Sequence, residues 1–145
     1  MIVADTSVWG DYLNGVISPF TDEQDNNLLE SKVVLGDLIL LEILQGIKSD
    51  KGYRTTQKLL SQLDQYEMLD SKMTIQCADN YRTLRKRGIT IRKTADVIIA
   101  TFCIENKIPL LFTDRDFKPF VEHCGLVSAV PVVYGRRSVQ LLNAR

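Results

Sequence analysis

Ile108-Pro109-Leu110-Leu111-Phe112-Thr113 is an apolar run of strand length that stops abruptly at Asp114-Arg115-Asp116. A strand without polar alternation is one covered on both faces, as in a parallel sheet between helices. Working outward, Ile2-Val3-Ala4 ends at Asp5, and Val33-Val34-Leu35 ends at Gly36-Asp37. Between these runs lie longer segments of helical period. Thr6 or Ser7 caps a helix through Leu13, closed by Asn14-Gly15, and Ser18-Pro19 opens a second that runs to Glu30. Asp37 caps a helix over residues 38–46, ending at Gly46, and another covers residues 51–65. A short strand near Glu67-Met68-Leu69 precedes a helix over residues 72–87. Arg85-Lys86-Arg87 complement the C-terminal end of that helix dipole before Gly88 closes it. Thr94 caps a helix over residues 95–106, and a final strand includes Val130 to Val133. Strands alternating with helices predict an α/β fold around a parallel sheet.

At 145 residues with 45% hydrophobic composition, residues 1–145 form a single domain able to bury a layered core. No linker, repeat or low-complexity tract divides it. With 18 basic and 18 acidic residues the net charge is zero, so any attraction to nucleic acid must come from a local patch. Cys77, Cys103 and Cys124 are far apart and lack CxxC spacing, which points away from disulfides and zinc and towards reduced cytoplasmic thiols. Met1 leads straight into the first strand, leaving no room for a signal peptide. The apolar runs, broken by Glu42, Asp96 or Glu105, fall short of the roughly 20 residues a membrane helix needs. A soluble cytoplasmic protein is the expectation.

Four carboxylates stand in surroundings that do not suit them. Asp5 follows Ile2-Val3-Ala4, Glu42 interrupts Leu38-Ile39-Leu40-Leu41 and Ile43-Leu44, Asp96 opens Val97-Ile98-Ile99-Ala100, and Asp114 ends the run quoted first. Each has a plainer reading on its own: a helix cap for Asp5, a dipole partner for Asp96, a surface charge or arginine partner for Glu42, and a turn for Asp114-Arg115-Asp116. Two of them fall at carboxyl ends of strands and one at a helix N-terminus, the edge where parallel sheets form sites. Glu42, on a helix flanked by Leu and Ile, is the most telling, because an unpaired buried carboxylate costs several kcal/mol. Gathered together, the four would make a site that a divalent cation neutralises.

The ordered set Val3-Ala4-Asp5-Thr6-Ser7-Val8-Trp9, Glu42-Ile43-Leu44-Gln45-Gly46, Thr94-Ala95-Asp96-Val97-Ile98-Ile99-Ala100 and Leu111-Phe112-Thr113-Asp114-Arg115-Asp116-Phe117 resembles PIN-domain ribonucleases. Most of all it resembles the VapC-type toxins of bacterial toxin–antitoxin pairs, over about residues 1–120. The resemblance implies a three-layer α/β/α fold with a central twisted parallel sheet. It also implies Asp5, Glu42, Asp96 and Asp114 gathered around Mg²⁺ or Mn²⁺, with Asp116 as an alternative or additional ligand, or as the cap of a helix beginning at Phe117. Thr6 or Ser7, and Thr113, would be the hydroxyls that orient the carboxylates. The implied activity is metal-dependent endoribonuclease cleavage of RNA phosphodiester bonds by the toxin of a type II pair. The implied partners are RNA, a small antitoxin that covers the acidic site, and a second copy in a homodimer.

His123 is the single histidine and lies outside these motifs, which excludes a histidine-pair mechanism within one chain. Arg82, Arg85, Lys86, Arg87, Arg92 and Lys93 form a basic strip just before Asp96 that can hold RNA phosphates or be a solvated helix face. Tyr81 and Trp9 are aromatics able to stack on bases or to fill the core. Two other functions fit the same fold: a housekeeping PIN nuclease of RNA maturation, and a catalytically silent binding module. The intact acidic set speaks against the second. A phosphatase or response regulator also places an aspartate after its first strand, but no DxD motif follows here.

Overall fold

The structure, a computed structural model, describes residues 1–130 and the backbone of two short strands beyond them. Four strands, β1 (Ile2–Ala4), β2 (Val33–Gly36), β3 (Asp64–Tyr66) and β4 (Leu110–Leu111), form a parallel sheet in the order β3-β2-β1-β4. Every residue of β1, β2 and β4 is buried, so both faces of the sheet are covered, as the continuous apolar runs require. The covering helices are α1 (Thr6–Leu13), α2 (Pro19–Leu29), α3 (Asp37–Gln45), α4 (Asp50–Leu60), α5 (Ser71–Lys86), α6 (Thr94–Glu105) and α7 (Lys118–His123). On the outer edge of β4, Leu110 bridges Ser128 in parallel.

The expected α/β architecture is present, with local differences. The strand expected near Glu67-Met68-Leu69 lies earlier, at β3, and the helix before it ends at Leu60 rather than at residue 65. β3 is polar and exposed, and is fixed by its backbone pairing with Val34–Gly36 rather than by hydrophobicity. Met68 is a plug instead of a strand residue. It is fully buried, and its amide donates to Asp37 Oδ1 at 3.1 Å. β4 is shorter than the run around it. Gly36 and Lys93 take the N-cap positions expected for Asp37 and Thr94, which become the first residues of their helices. Val132–Val133 does form a strand, antiparallel to Val139–Gln140, while Pro131 lies outside the described residues.

A methyl group added at Gly36 would stand 2.1 Å from Met68 Sδ. Alanine tolerates the backbone there (φ −80°, ψ 146°), so the whole cost is packing. Gly36→Ala is expected to destabilise the fold by about 1–3 kcal/mol, read as a lower urea midpoint at unchanged m-value. A wild-type midpoint would show that Met68 has other room.

The chain leaves β1 towards β2 and β3 on one side, whereas β4 inserts on the other. The carboxyl ends of β1 and β4 therefore flank the sheet's topological switch point, the crevice where open parallel sheets form sites.

Candidate acidic site

Asp5 ends β1 and is the N-cap residue of α1. Its amide donates to the Leu111 carbonyl at 2.9 Å, tying it to the end of β4. The carboxylate is 4% exposed and accepts from Ser7 Oγ at 3.0 Å rather than closing a helix-cap bond. Burial raises the Asp5 carboxyl above its ordinary value, and the Glu42 charge adds to that rise. Glu42 projects from α3 and accepts from Thr6 Oγ1 at 2.7 Å. Helix α3 is less enclosed than its sequence implies: Ile39 and Ile43 are buried, Leu41 is exposed, and Glu42 is half-buried.

Asp96 sits in the first turn of α6 and is 5% exposed. Its Oδ2 is buried and has no hydrogen-bond partner among the described residues. Burial first, then the charges of Asp5, Asp114 and Asp116, push its carboxyl up to about 7, against the opposing pull of Lys93. Asp114 follows β4 and caps the 3-10 turn Arg115–Phe117, its Oδ1 accepting the Asp116 amide at 2.9 Å. Asp114 thus takes the capping role considered for Asp116. The Asp116 carboxylate instead turns towards Asp96, and one ligand oxygen from each of Asp96, Asp114 and Asp116 lies within 4.8 Å of the others.

The tight trio is therefore Asp96, Asp114 and Asp116, with Asp5 bearing electrostatically on Asp96 and Glu42 on Asp5. Asp114 and Asp116 both offer an oxygen to this group. A D-x-D pair spanning one tight turn was the signal for this. Ser7 and Thr6 each donate to a carboxylate, whereas Thr113 is exposed and has no hydrogen bond to a carboxylate among the described residues.

The basic strip divides. Arg92 Nη2 lies 3.9 Å from Asp116 Oδ2, and Lys93 acts on Asp96. Arg85 instead lies over the Tyr81 ring, 5.5 Å from its centroid, and Arg87 bears on Cys124. Trp9 is 2% exposed and so belongs to the core, packed edge-on against Tyr12, not to a base-stacking surface.

The donor set fits a hard divalent cation: carboxylate oxygens, one of Asp96's being buried and without a hydrogen-bond partner among the described residues. Residues 2–121 match the PIN domain family. This chain belongs to it. The chain is 29% identical over 119 residues to the VapC ribonuclease Mb1587 of Mycobacterium bovis, covering 81% of this chain and 89% of that protein. The ribonuclease VapC11 of Mycobacterium tuberculosis matches equally. Among solved structures, VapBC2 from Rickettsia felis, bound to a DNA fragment from its promoter, superposes with a TM-score of 0.70 at 20% identity, covering 88% of this chain and 97% of that one. FitAcB from Neisseria gonorrhoeae gives 0.62 at 18% identity, covering 83% and 91%. The fold is that of the PIN family. No helix among the described residues is long and apolar enough to cross a membrane.

Proposed function

We propose that this PIN domain is a metal-dependent endoribonuclease that hydrolyses RNA phosphodiester bonds, and that it is the toxin of a type II toxin–antitoxin pair. The observation that carries the reading is that one oxygen from each of Asp96, Asp114 and Asp116 lies within 4.8 Å of the others, while the buried Oδ2 of Asp96 has no hydrogen-bond partner among the described residues. Carboxylates crowded this way raise one another's proton affinity unless a cation is shared among them. Asp5, Glu42, Asp96, Asp114 and Asp116 are the residues that would hold Mg²⁺ or Mn²⁺. Bound there, the ion supplies Lewis-acid charge at the phosphate and a more acidic water. Ser7 and Thr6 fix the rotamers of Asp5 and Glu42, so the acids are oriented before substrate arrives.

The names of the relatives, ribonuclease and VapC, support the RNA substrate and the toxin role. A small antitoxin is the expected partner. A cleft of about 440 Å³, lined by Thr6, Leu13, Asn14, Ile43 and Ile47, opens at Glu42. Its mixed walls suit a peptide that brings apolar side chains and a cation towards Glu42. Exposed Leu41, Leu69 and Ile75 are apolar surface consistent with a homodimer. Cytoplasmic residence accords with the free thiols of Cys77, Cys103 and Cys124.

The test is cleavage of single-stranded RNA by the purified chain. Cleavage is expected with Mg²⁺ or Mn²⁺, to fall by about 10³-fold or more in EDTA, and to return when the ion is restored. Cleavage indifferent to EDTA would overturn the metal assignment.

A further inference from the structure

Arg92 combines a fixed base with a free arm. Helix α5 is closed by Gly88 at φ +81°, where the Gly88 amide donates to Arg85 O at 2.9 Å and the Ile89 amide to Leu84 O at 3.0 Å. These bonds turn the chain sharply away from the helix. Ile91 is buried at 6% exposure and pins the loop to the core. On its far side the Lys93 carbonyl accepts the Asp96 amide at 3.1 Å, beginning α6. The backbone around Arg92 is thus held from both ends and from below.

The side chain is not held in this way. It is 82% exposed, and its contact with Asp116 is long at 3.9 Å. An ion pair this exposed is weak and readily exchanged. The guanidinium stands at the rim of an acidic group that an RNA phosphate must approach against repulsion. Its planar fork matches phosphate in two hydrogen bonds, which an ammonium cannot reproduce. Arg85, by contrast, is engaged on Tyr81.

We propose that Arg92 grips an RNA phosphate beside the acidic group, leaving Asp116 to do so, and that without RNA it competes with the divalent cation for Asp116. This rests on the ribonuclease reading above. It makes Arg92 a substrate-holding residue with two opposed effects: RNA binding gains from it, and metal binding by the RNA-free protein loses.

RNA affinity is best measured in the Asp5→Asn background, where cleavage does not consume a short single-stranded probe. Adding Arg92→Ala is expected to weaken binding about 5- to 10-fold and to reduce the slope of log K against log salt by about 0.7, the signature of one lost phosphate contact. Arg92→Lys is expected to keep the slope but bind about 2- to 3-fold more weakly than arginine. In an otherwise wild-type chain, Arg92→Ala should tighten Mn²⁺ binding, read by calorimetry without RNA, about 2- to 5-fold. An exposed side chain leaves folding intact, and circular dichroism checks this.

Unchanged RNA affinity and slope in the alanine variant would overturn the phosphate grip, and unchanged or weaker Mn²⁺ binding would overturn the competition. If the wild-type chain cleaves RNA while Arg92→Ala binds it normally, the Arg92 assignment alone fails. If the Asp5→Asn parent binds no RNA and the wild type cleaves none, the ribonuclease reading fails and takes this one with it.

Discussion

Asp96→Asn is expected to abolish RNA cleavage, lowering the single-turnover rate by about 10³-fold or more at saturating Mn²⁺. Asp96 is the acid on which the others converge: Asp5, Asp114 and Asp116 all bear on it. Its Oδ2 is buried and has no hydrogen-bond partner among the described residues, and Asp96 is one of the three acids whose oxygens come together. Asparagine keeps the shape while removing the charge, and its amide can present an N–H where the cation requires an oxygen. The helix start that carries Asp96 is fixed by the hydrogen bond from the Asp96 amide to the Lys93 carbonyl. Retention of more than about a tenth of the wild-type rate would remove Asp96 from the metal site.

The strands that carry the site were legible because they are buried on both faces and so leave no polar alternation to confuse them. Ile2–Ala4 and Val33–Gly36 begin where the apolar runs begin, and each ends at or beside an acid. The edge strand Asp64–Tyr66 was not legible, since all three of its residues are exposed and only backbone pairing with β2 makes it a strand. Met68 misled in the opposite direction: it is hydrophobic because it fills the space that Gly36 leaves open. Periodicity cannot tell such a plug from a strand.

The same contrast holds at the site. Asp5, Asp96 and Asp114 were visible as breaks in hydrophobic runs; the sheet order brings the ends of β1 and β4 together at the switch point, and α6 packs against the Arg115–Phe117 turn beside them. Asp116 was not visible with equal force, because its direction depends on the 3-10 turn that Asp114 caps. Arg92 stands out from Arg85 only after the loop following Gly88 is folded back by its two backbone bonds and the burial of Ile91. What escaped the sequence is what short turns decide.

The Asp96 contribution to the stability of metal-free protein is expected to be lost as pH rises from about 4 to about 7, the reverse of ordinary acid denaturation. Asp96 holds its proton up to about 7 in the folded chain, against an ordinary value of 3.8, because burial and the neighbouring acids disfavour its charge. Between those values the unfolded chain has released a proton that the folded chain keeps. The unfolded state thus binds fewer protons, and the free energy of unfolding falls with rising pH. The contribution is fully present below about 4 and gone above about 7. Asp5, raised by burial as well, acts in the same direction. At about 1.4 kcal/mol per unit the rise from 3.8 to about 7 is on the order of 4 kcal/mol, or roughly 8–16 °C in Tm. Other carboxylates with favourable partners slope the opposite way, so the informative quantity is the Tm of Asp96→Asn minus that of the wild type in EDTA. That difference is expected to be small at pH 4.5 and to grow to its full value by pH 8. Mn²⁺ added at pH 8 should recover the wild type more than the variant, since only the native carboxylate set binds it tightly. A difference that stays flat across this range would mean that Asp96 ionises freely in the folded chain, and the crowding that points to a shared cation would lose its support.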